Sequence, residues 1–149
     1  MHPKIGLKIK TLPHFKGELP QYQTVAASGF DVRAQLGESI IMKPGQRELI
    51  PTGLSFAIPN GYEIQARPRS GLAWKHGISV VNTPGTIDSD YRGEVKIILI
   101  NLGQEPLEIK DQERVAQLVI TPVVQAEFQL VEVLDDTHRG SGGFGSTGK

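Results

Sequence analysis

Strong turn pairs break this sequence at roughly even spacing, leaving room for short extended runs and for almost no helix. Pro44-Gly45, Asn60-Gly61, Pro84-Gly85 and Arg92-Gly93 each separate one short apolar run from the next. Proline presets φ and glycine accepts positive φ, so such pairs bend the chain where they occur. Asn-Gly is the strongest hairpin signal among them. Ile5, Leu7 and Ile9 alternate with Lys8 and Lys10, the period of a half-buried strand. Further strands are expected over Ala26–Ala34, Ser39–Lys43, Arg47–Leu49, Leu54–Ile58, Tyr62–Arg67, Ile78–Val81, Glu94–Asn101, Pro106–Lys110, Arg114–Val124 and Glu127–Leu134. Asp111-Gln112 reads as a connecting turn, and Val95–Ile100, apolar on both faces, should be covered on both sides. One helix fits, Ser70–His76, opened by Ser70 as a capping serine and closed by Gly77. Many short strands between turns predict an all-β sandwich or barrel.

At 149 residues the chain makes one domain with its own core. It has no cysteine, which excludes a disulfide framework and thiolate metal sites and fits a reducing cytoplasm. Sixteen basic and sixteen acidic residues cancel, so no bulk field draws the chain to nucleic acid or to a membrane. No apolar run reaches a membrane span and no secretory signal precedes the first strand, so a soluble protein is expected. The loop Thr11–Thr24 carries no legible pattern, and His2 and His14 in this region are expected to face solvent. From Asp135 onward the chain is polar and glycine-dense, too poor in apolar groups to pack alone. The expected division is a β domain over residues 1–134 and a flexible glycine-rich arm over 135–149.

Chemistry concentrates in Asn82–Gly93. Asp88, Ser89, Asp90 and Tyr91 should lie close to one hairpin, with Asp88 and Asp90 on one side if the backbone is extended. Two carboxylates beside an aromatic ring suit a metal, an oriented water or a sugar, and equally a solvated turn. Arg69-Ser70-Gly71 meets the helix start, where free N–H groups suit an anion, although Ser70 alone is also a sufficient cap. Gly143–Lys149 fits the opening of a phosphate loop, but the sequence stops at Lys149, before the Ser/Thr such a loop needs, and no helix follows. A disordered tail and a phosphate-closing tail both remain, and the lone Phe144 among glycines argues for the second. A serine hydrolase is disfavoured, because no Gly-x-Ser-x-Gly elbow is present and His76 has no evident orienting acid. No His or Cys cluster has metal spacing.

Five segments together resemble the motifs of the trimeric dUTPases (deoxyuridine triphosphate nucleotidohydrolases), in that family's order. They are Ala27–Val32, Arg67–Ala73, Asn82–Gly93, Arg114–Leu118 and Arg139–Gly148, and the resemblance spans about residues 24–149. It implies a jelly-roll fold, a homotrimer whose sites combine motifs from three chains, and a tail that crosses to a neighbour. It implies hydrolysis of dUTP to dUMP and pyrophosphate with Mg²⁺ carried on the triphosphate. Asp88 would then orient the attacking water, with Asp31 holding a water on the magnesium. Arg69, Ser70, Gly71 and Gln117 would meet phosphates, while Arg114, Asp90 and His76 would be structural. Asn82, helped by main-chain groups of Gly85, Thr86 and Ile87 and near Lys96, would read uracil. Tyr91 would lie under the deoxyribose, and Arg139, Phe144, Gly145 and Ser146 would close over the nucleotide. Two alternatives on the same fold are a dCTP deaminase-like enzyme, with Glu94 as its carboxylate, and a non-catalytic nucleotide-binding module.

Overall fold

A computed structural model describes residues 3–146 and 148. Its elements, in chain order, are β1 (Lys8–Thr11), β2 (Gly29–Arg33), β3 (Ile40–Met42), β4 (Arg47–Pro51), β5 (Leu54–Ala57), β6 (Tyr62–Arg67), α1 (Ser70–His76), β7 (Ile78–Val80), β8 (Gly85–Ile87), β9 (Lys96–Asn101), β10 (Leu107–Ile109) and β11 (Arg114–Pro122). The fold is all-β with one short helix, as the turn spacing predicts. Two sheets form its body, ordered β2-β11-β6-β8 and β4-β9-β7, with the two-stranded ladders β1-β5 and β10-β3 beside them. Every ladder is antiparallel, and among the described residues none joins two consecutive strands.

That topology corrects the expected Asn60-Gly61 hairpin and keeps the turns at Gly45 and Gly61. Gly45 takes φ 79° and the Gln46 N–H donates to the Lys43 carbonyl at 3.0 Å, yet β3 leaves for β10 and β4 for β9. Gly61 takes φ 84°, but Asn60 does not take positive φ. A two-residue Asn-Gly hairpin needs both central residues there, and other turn types splay the flanking strands. β5 accordingly joins β1, and β6 joins β11 and β8. Pro84-Gly85, by contrast, is not a turn. The bend comes earlier, where the Thr83 N–H donates to the Val80 carbonyl at 3.2 Å, and Gly85 opens β8, buried and extended.

The core is drawn from alternate positions of most strands. Val32, Met42, Ile50, Leu54, Ile64, Ile97, Leu99, Val115 and Leu118 are almost wholly buried, and each such side chain contributes about 1.5–3 kcal/mol of apolar transfer. β9 is buried on one face only: Ile97, Leu99 and Asn101 point inward, whereas Ile98 and Ile100 stay half-buried, so the expected cover on both sides is not supplied within the chain. Asn101 is a buried amide with full hydrogen bonding. Its Nδ2 donates to the carbonyls of Met42 and Glu105, each at 2.8 Å, and its Oδ1 accepts from Gly103 N–H at 2.9 Å. At the Asp111-Gln112 turn, Asp111 Oδ1 accepts the Leu36 N–H at 2.9 Å and Oδ2 lies 3.9 Å from Lys16 Nζ. The Leu36 bond is the main force holding the Asp111 carboxyl below its ordinary pKa.

Two further expectations change. Glu127–Leu134 is not a strand: it pairs with nothing among the described residues, and Phe128, Leu130, Val133 and Leu134 stand exposed. A strand needs an edge to hydrogen-bond, and past Pro122 no edge of this chain runs alongside. The helix is N-capped by Arg69 in extended conformation without a side-chain cap bond, so Ser70 is its first residue rather than its cap; Gly77 ends it in the left-handed region at φ 69°. His14 is exposed, as expected, and its Nε2 also lies 2.6 Å from Glu94 Oε1. His2, expected to face solvent, lies outside the described residues, as do Thr147 and Lys149 of the stretch that resembles the opening of a phosphate loop.

Candidate active site

β8 creates the site by leaving its neighbours. It lies between β7 and β9 in sequence, but those two pair with each other, Ile78↔Asn101 through Val80↔Leu99. β8 instead reaches the other sheet and pairs with β6, Ile64↔Ile87, Gln65↔Thr86 and Ala66↔Gly85. The segment Asn82–Gly93 is thereby stretched between two sheets, and a cleft of about 430 Å³ opens beneath it. Thr86, Ile87, Asp88 and Tyr91 line one side, and Glu94, Lys96 and Ile98 the other.

The carboxylates do not alternate along a strand. Tyr91 N–H donates to the Asp88 carbonyl at 3.1 Å, closing a turn over Asp88–Tyr91 that replaces the extended backbone expected there. Arg92 braces this turn, its Nη1 donating to the Ser89 carbonyl at 2.7 Å and to the Tyr91 carbonyl at 3.1 Å. Asp88 lines the cleft and is exposed, with no side-chain hydrogen bond or ion pair among the described residues. Asp90 is also exposed but does not line the cleft. The Tyr91 hydroxyl donates to the Glu94 carbonyl at 2.9 Å, which lays the ring across Gly93. Asn82 stands exposed just before β8, its Nδ2 3.1 Å from where a Cβ on Gly85 would sit.

A second cluster forms where β2, β11 and the start of α1 meet. Gln117 sits opposite Asp31 on one side and Arg67 on the other. Asp31 Oδ2 lies 3.3 Å from Arg69 Nε and 3.4 Å from Arg114 Nη1. Arg69 Nη1 donates to the Arg114 carbonyl at 3.2 Å, and Gln117 Nε2 to the Pro68 carbonyl at 3.0 Å. Arg69, Gln117 and Asp31 are therefore neighbours at the start of α1, which carries Ser70 and Gly71, with Arg114 part of the same network. Asp31 and Arg114 line a separate polar cavity of about 300 Å³ that shares no lining residue with the Asp88 cleft.

The tail carries the third group and keeps to itself. Arg139 Nε donates to the Gly142 carbonyl at 2.8 Å, Ser146 N–H to the Gly143 carbonyl at 3.0 Å, and Phe144 is fully exposed. Among the described residues no hydrogen bond ties Arg139, Phe144, Gly145 or Ser146 to the sheets. No cluster of three or more His, Cys, Asp or Glu suited to a metal occurs among the described residues. Sequence reasoning missed the bracing role of Arg92 and the contact of His14 with Glu94. Nothing local marks the second, since His14 and Glu94 are 80 positions apart.

The dUTPase family model matches residues 16–148, nearly the whole chain. The chain belongs to the dUTPase family. The deoxyuridine 5'-triphosphate nucleotidohydrolase of Bdellovibrio bacteriovorus is 67% identical over 146 residues, covering 98% of both chains. That of Nautilia profundicola is 63% identical over 143 residues, covering 96% of this chain and 99% of its own. Among solved structures, the Staphylococcus bacteriophage 80alpha dUTPase with dUPNHPP superposes with a TM-score of 0.86 at 25% identity, covering 98% of this chain and 100% of that one. The β architecture described above is thus the dUTPase jelly roll. Glu94, the carboxylate of the deaminase-like alternative, already accepts the Gly53 N–H at 2.9 Å and touches His14. In this member of the dUTPase family it is a tethered side chain. No helix among the described residues is long and apolar enough to cross a membrane.

Proposed function

We propose that this protein hydrolyses dUTP to dUMP and pyrophosphate by in-line attack of water on the α-phosphorus. The observation that carries the reading is one cleft bringing together an unpaired carboxylate at Asp88, the Tyr91 ring and the outer side of β8. β8 is the last strand of its sheet, so one of its edges has no partner strand. A free edge offers alternating N–H and C=O groups, the same complementarity that a nucleobase edge requires. Main chain of Gly85, Thr86 and Ile87, with the Asn82 amide, would read uracil near Lys96. Such a slot rejects thymine's methyl by contact and cytosine by hydrogen-bond polarity. Tyr91 would lie under the deoxyribose, where a 2′-hydroxyl would meet the ring.

Phosphoryl chemistry needs an aligned nucleophile and neutralised oxygens, and no covalent help from the protein. Asp88 is free to hold that water. Arg69, Ser70, Gly71 and Gln117 supply donors for phosphate oxygens, with Arg139, Gly145 and Ser146 closing from the tail and Phe144 stacking on the base. Mg²⁺ would neutralise charge on the triphosphate and fits this donor set only through waters. The described residues offer no three-acid cage, while Asp31 keeps Oδ1 clear of the two arginines that occupy Oδ2.

A homotrimer with shared sites follows from the same reading. Asp88 and the Asp31–Arg114 pair line separate cavities, so one chain would need a neighbour to complete a site. Exposed Phe128, Leu130, Val133 and Leu134, with half-buried Ile98 and Ile100, supply apolar surface for that association. Residues 135–149 would serve as a lid carried across to a neighbour, on a β domain over 1–134. The role is cytoplasmic removal of dUTP from the DNA-precursor pool and supply of dUMP for dTMP synthesis. The test supplies dUTP, dCTP, dTTP and UTP with Mg²⁺ and measures pyrophosphate and ammonia. Pyrophosphate from dUTP alone supports the reading. Ammonia from dCTP would replace it with the deaminase, and analogue binding without any product would replace it with a non-catalytic module.

A further inference from the structure

Three segments distant in sequence converge on one side chain, Glu94, at the rim of the cleft. Its carboxylate is only 12% exposed. Oε1 accepts the Gly53 N–H at 2.9 Å and lies 2.6 Å from His14 Nε2, while Oε2 lies 3.8 Å from Lys96 Nζ. The Glu94 carbonyl in turn accepts the Tyr91 hydroxyl at 2.9 Å. The same corner is stitched by main chain on both flanks. Leu12 N–H donates to the Gly53 carbonyl at 2.8 Å, Val95 N–H to the Leu54 carbonyl at 2.8 Å, and Thr52 Oγ1 to the Val95 carbonyl at 2.6 Å. The N-terminal loop, the bend between β4 and β5 and the entry to β9 are thus held together behind Tyr91.

We infer that Glu94 is a positioning residue for sugar selection, and that His14 of the N-terminal loop holds it in place. The inference rests on the proposed function, in which Tyr91 faces the deoxyribose. A ring discriminates a 2′-hydroxyl only while it cannot retreat. Tyr91 is 46% exposed, so packing alone does not hold it. Its hydroxyl is fixed to the Glu94 main chain, and that main chain is fixed by the Glu94 carboxylate through Gly53 and His14. Charge-assisted hydrogen bonds of this kind are stronger and more directional than neutral ones. Asp88 is secured separately, by its own turn and by Arg92. Loosening Glu94 should therefore degrade the choice of sugar more than the chemical step.

The experiment compares kcat and KM for dUTP and UTP in the full-length protein, in Glu94→Gln, Glu94→Ala and His14→Ala, each also in a Tyr91→Phe background. Expected is a fall in the dUTP-over-UTP preference of about threefold or more in Glu94→Ala and His14→Ala, the lower end of what one lost hydrogen bond contributes. Glu94→Gln, which keeps an acceptor, should recover part of it, and the change should sit mainly in KM. In Tyr91→Phe, which lacks the hydroxyl, the same substitutions should no longer alter the preference. A defect of the fold alone would lower activity on both nucleotides equally and persist in that background. Should Glu94→Ala fail to fold, the half-exposed His14 decides. An unchanged preference in His14→Ala, or an effect that survives Tyr91→Phe, overturns the inference while leaving dUTP hydrolysis intact. Absence of dUTP turnover in the unaltered protein would instead remove the proposed function, before any variant is compared.

Discussion

The ring of Tyr91 lies across Gly93 so closely that a Cβ on residue 93 would stand 2.6 Å from Tyr91 Cζ. Gly93 does not take positive φ, so alanine meets no backbone strain there and only the ring has to move. Gly93→Ala should therefore keep the fold and displace Tyr91 from the cleft. The dUTP-over-UTP preference in kcat/KM should fall, approaching Tyr91→Ala, whose loss is about 1–3 kcal/mol of discrimination. A preference unchanged in both variants would take Tyr91 out of contact with the sugar.

Asp88→Asn should fold and bind nucleotide like the unaltered protein. Asp88 makes no side-chain hydrogen bond or ion pair among the described residues that the amide would break. Without the carboxylate to orient water, turnover should drop roughly 10²–10⁴-fold. Near-normal turnover would reject the assignment and bring Asp90 forward for the same test.

Deleting residues 139–149 should leave melting behaviour unchanged, since no hydrogen bond ties the described part of that segment to the sheets. Hydrolysis of dUTP should fall by orders of magnitude while nucleotide binding weakens less, because closure aligns and dries the site. In Phe144→Trp the new indole starts fully exposed, and its fluorescence should change on adding a non-hydrolysable dUTP analogue with Mg²⁺. The emission has Trp74 as a constant background, so the measurement is made as a difference against the Phe144 protein. Full activity after truncation would leave the tail without a part in catalysis.

Asp111 sets an acid-side contribution to stability. Its folded pKa is depressed, chiefly by the Leu36 N–H, so the stabilisation is complete above the ordinary carboxylate value of 3.8 and is lost as pH falls through the folded pKa. Asp111→Asn should melt lower than the unaltered protein near neutrality, and that gap should close as the pH is taken below 3.8. A gap constant with pH would mean that the charge of Asp111 contributes nothing.

Local chemistry was legible in the residues, and partnership was not. The helix Ser70–His76 was readable to the residue because Gly77 stops it, and the turns at Gly45 and Gly61 formed where proline and glycine place them. Yet the Asn60-Gly61 turn was expected to fold its strands back on each other, and β5 and β6 joined different ladders. Turn residues specify a bend; the edge a strand joins depends on distant apolar faces. β8 was hidden for the same reason, since Pro84-Gly85 carries turn chemistry and only the pairing with β6 makes Gly85 extended. In the site, Asp88 and Tyr91 were readable as one neighbourhood because a single segment carries them, whereas Lys96 came in only through the family resemblance. Asp31, Arg69 and Gln117 come from separate elements and were connected beforehand only through their family motifs. Glu94 with His14 belongs to no motif, and only the folded chain joins them.

The avoidance of consecutive-strand ladders has a consequence for how the chain acquires its shape. β1 waits for β5, β4 for β9, β3 for β10, and β2 has no partner until β11 exists. Each ladder must close a long stretch of chain before it gains a hydrogen bond, so the entropic cost comes early and the reward late. Such high contact order places refolding in milliseconds to seconds rather than microseconds. On the ribosome, a nascent chain lacking residues 114–122 holds β2 and β6 without the strand that joins them. Most of the polypeptide must emerge before its main sheet can assemble, which leaves a window in which unpaired strand edges are open to aggregation.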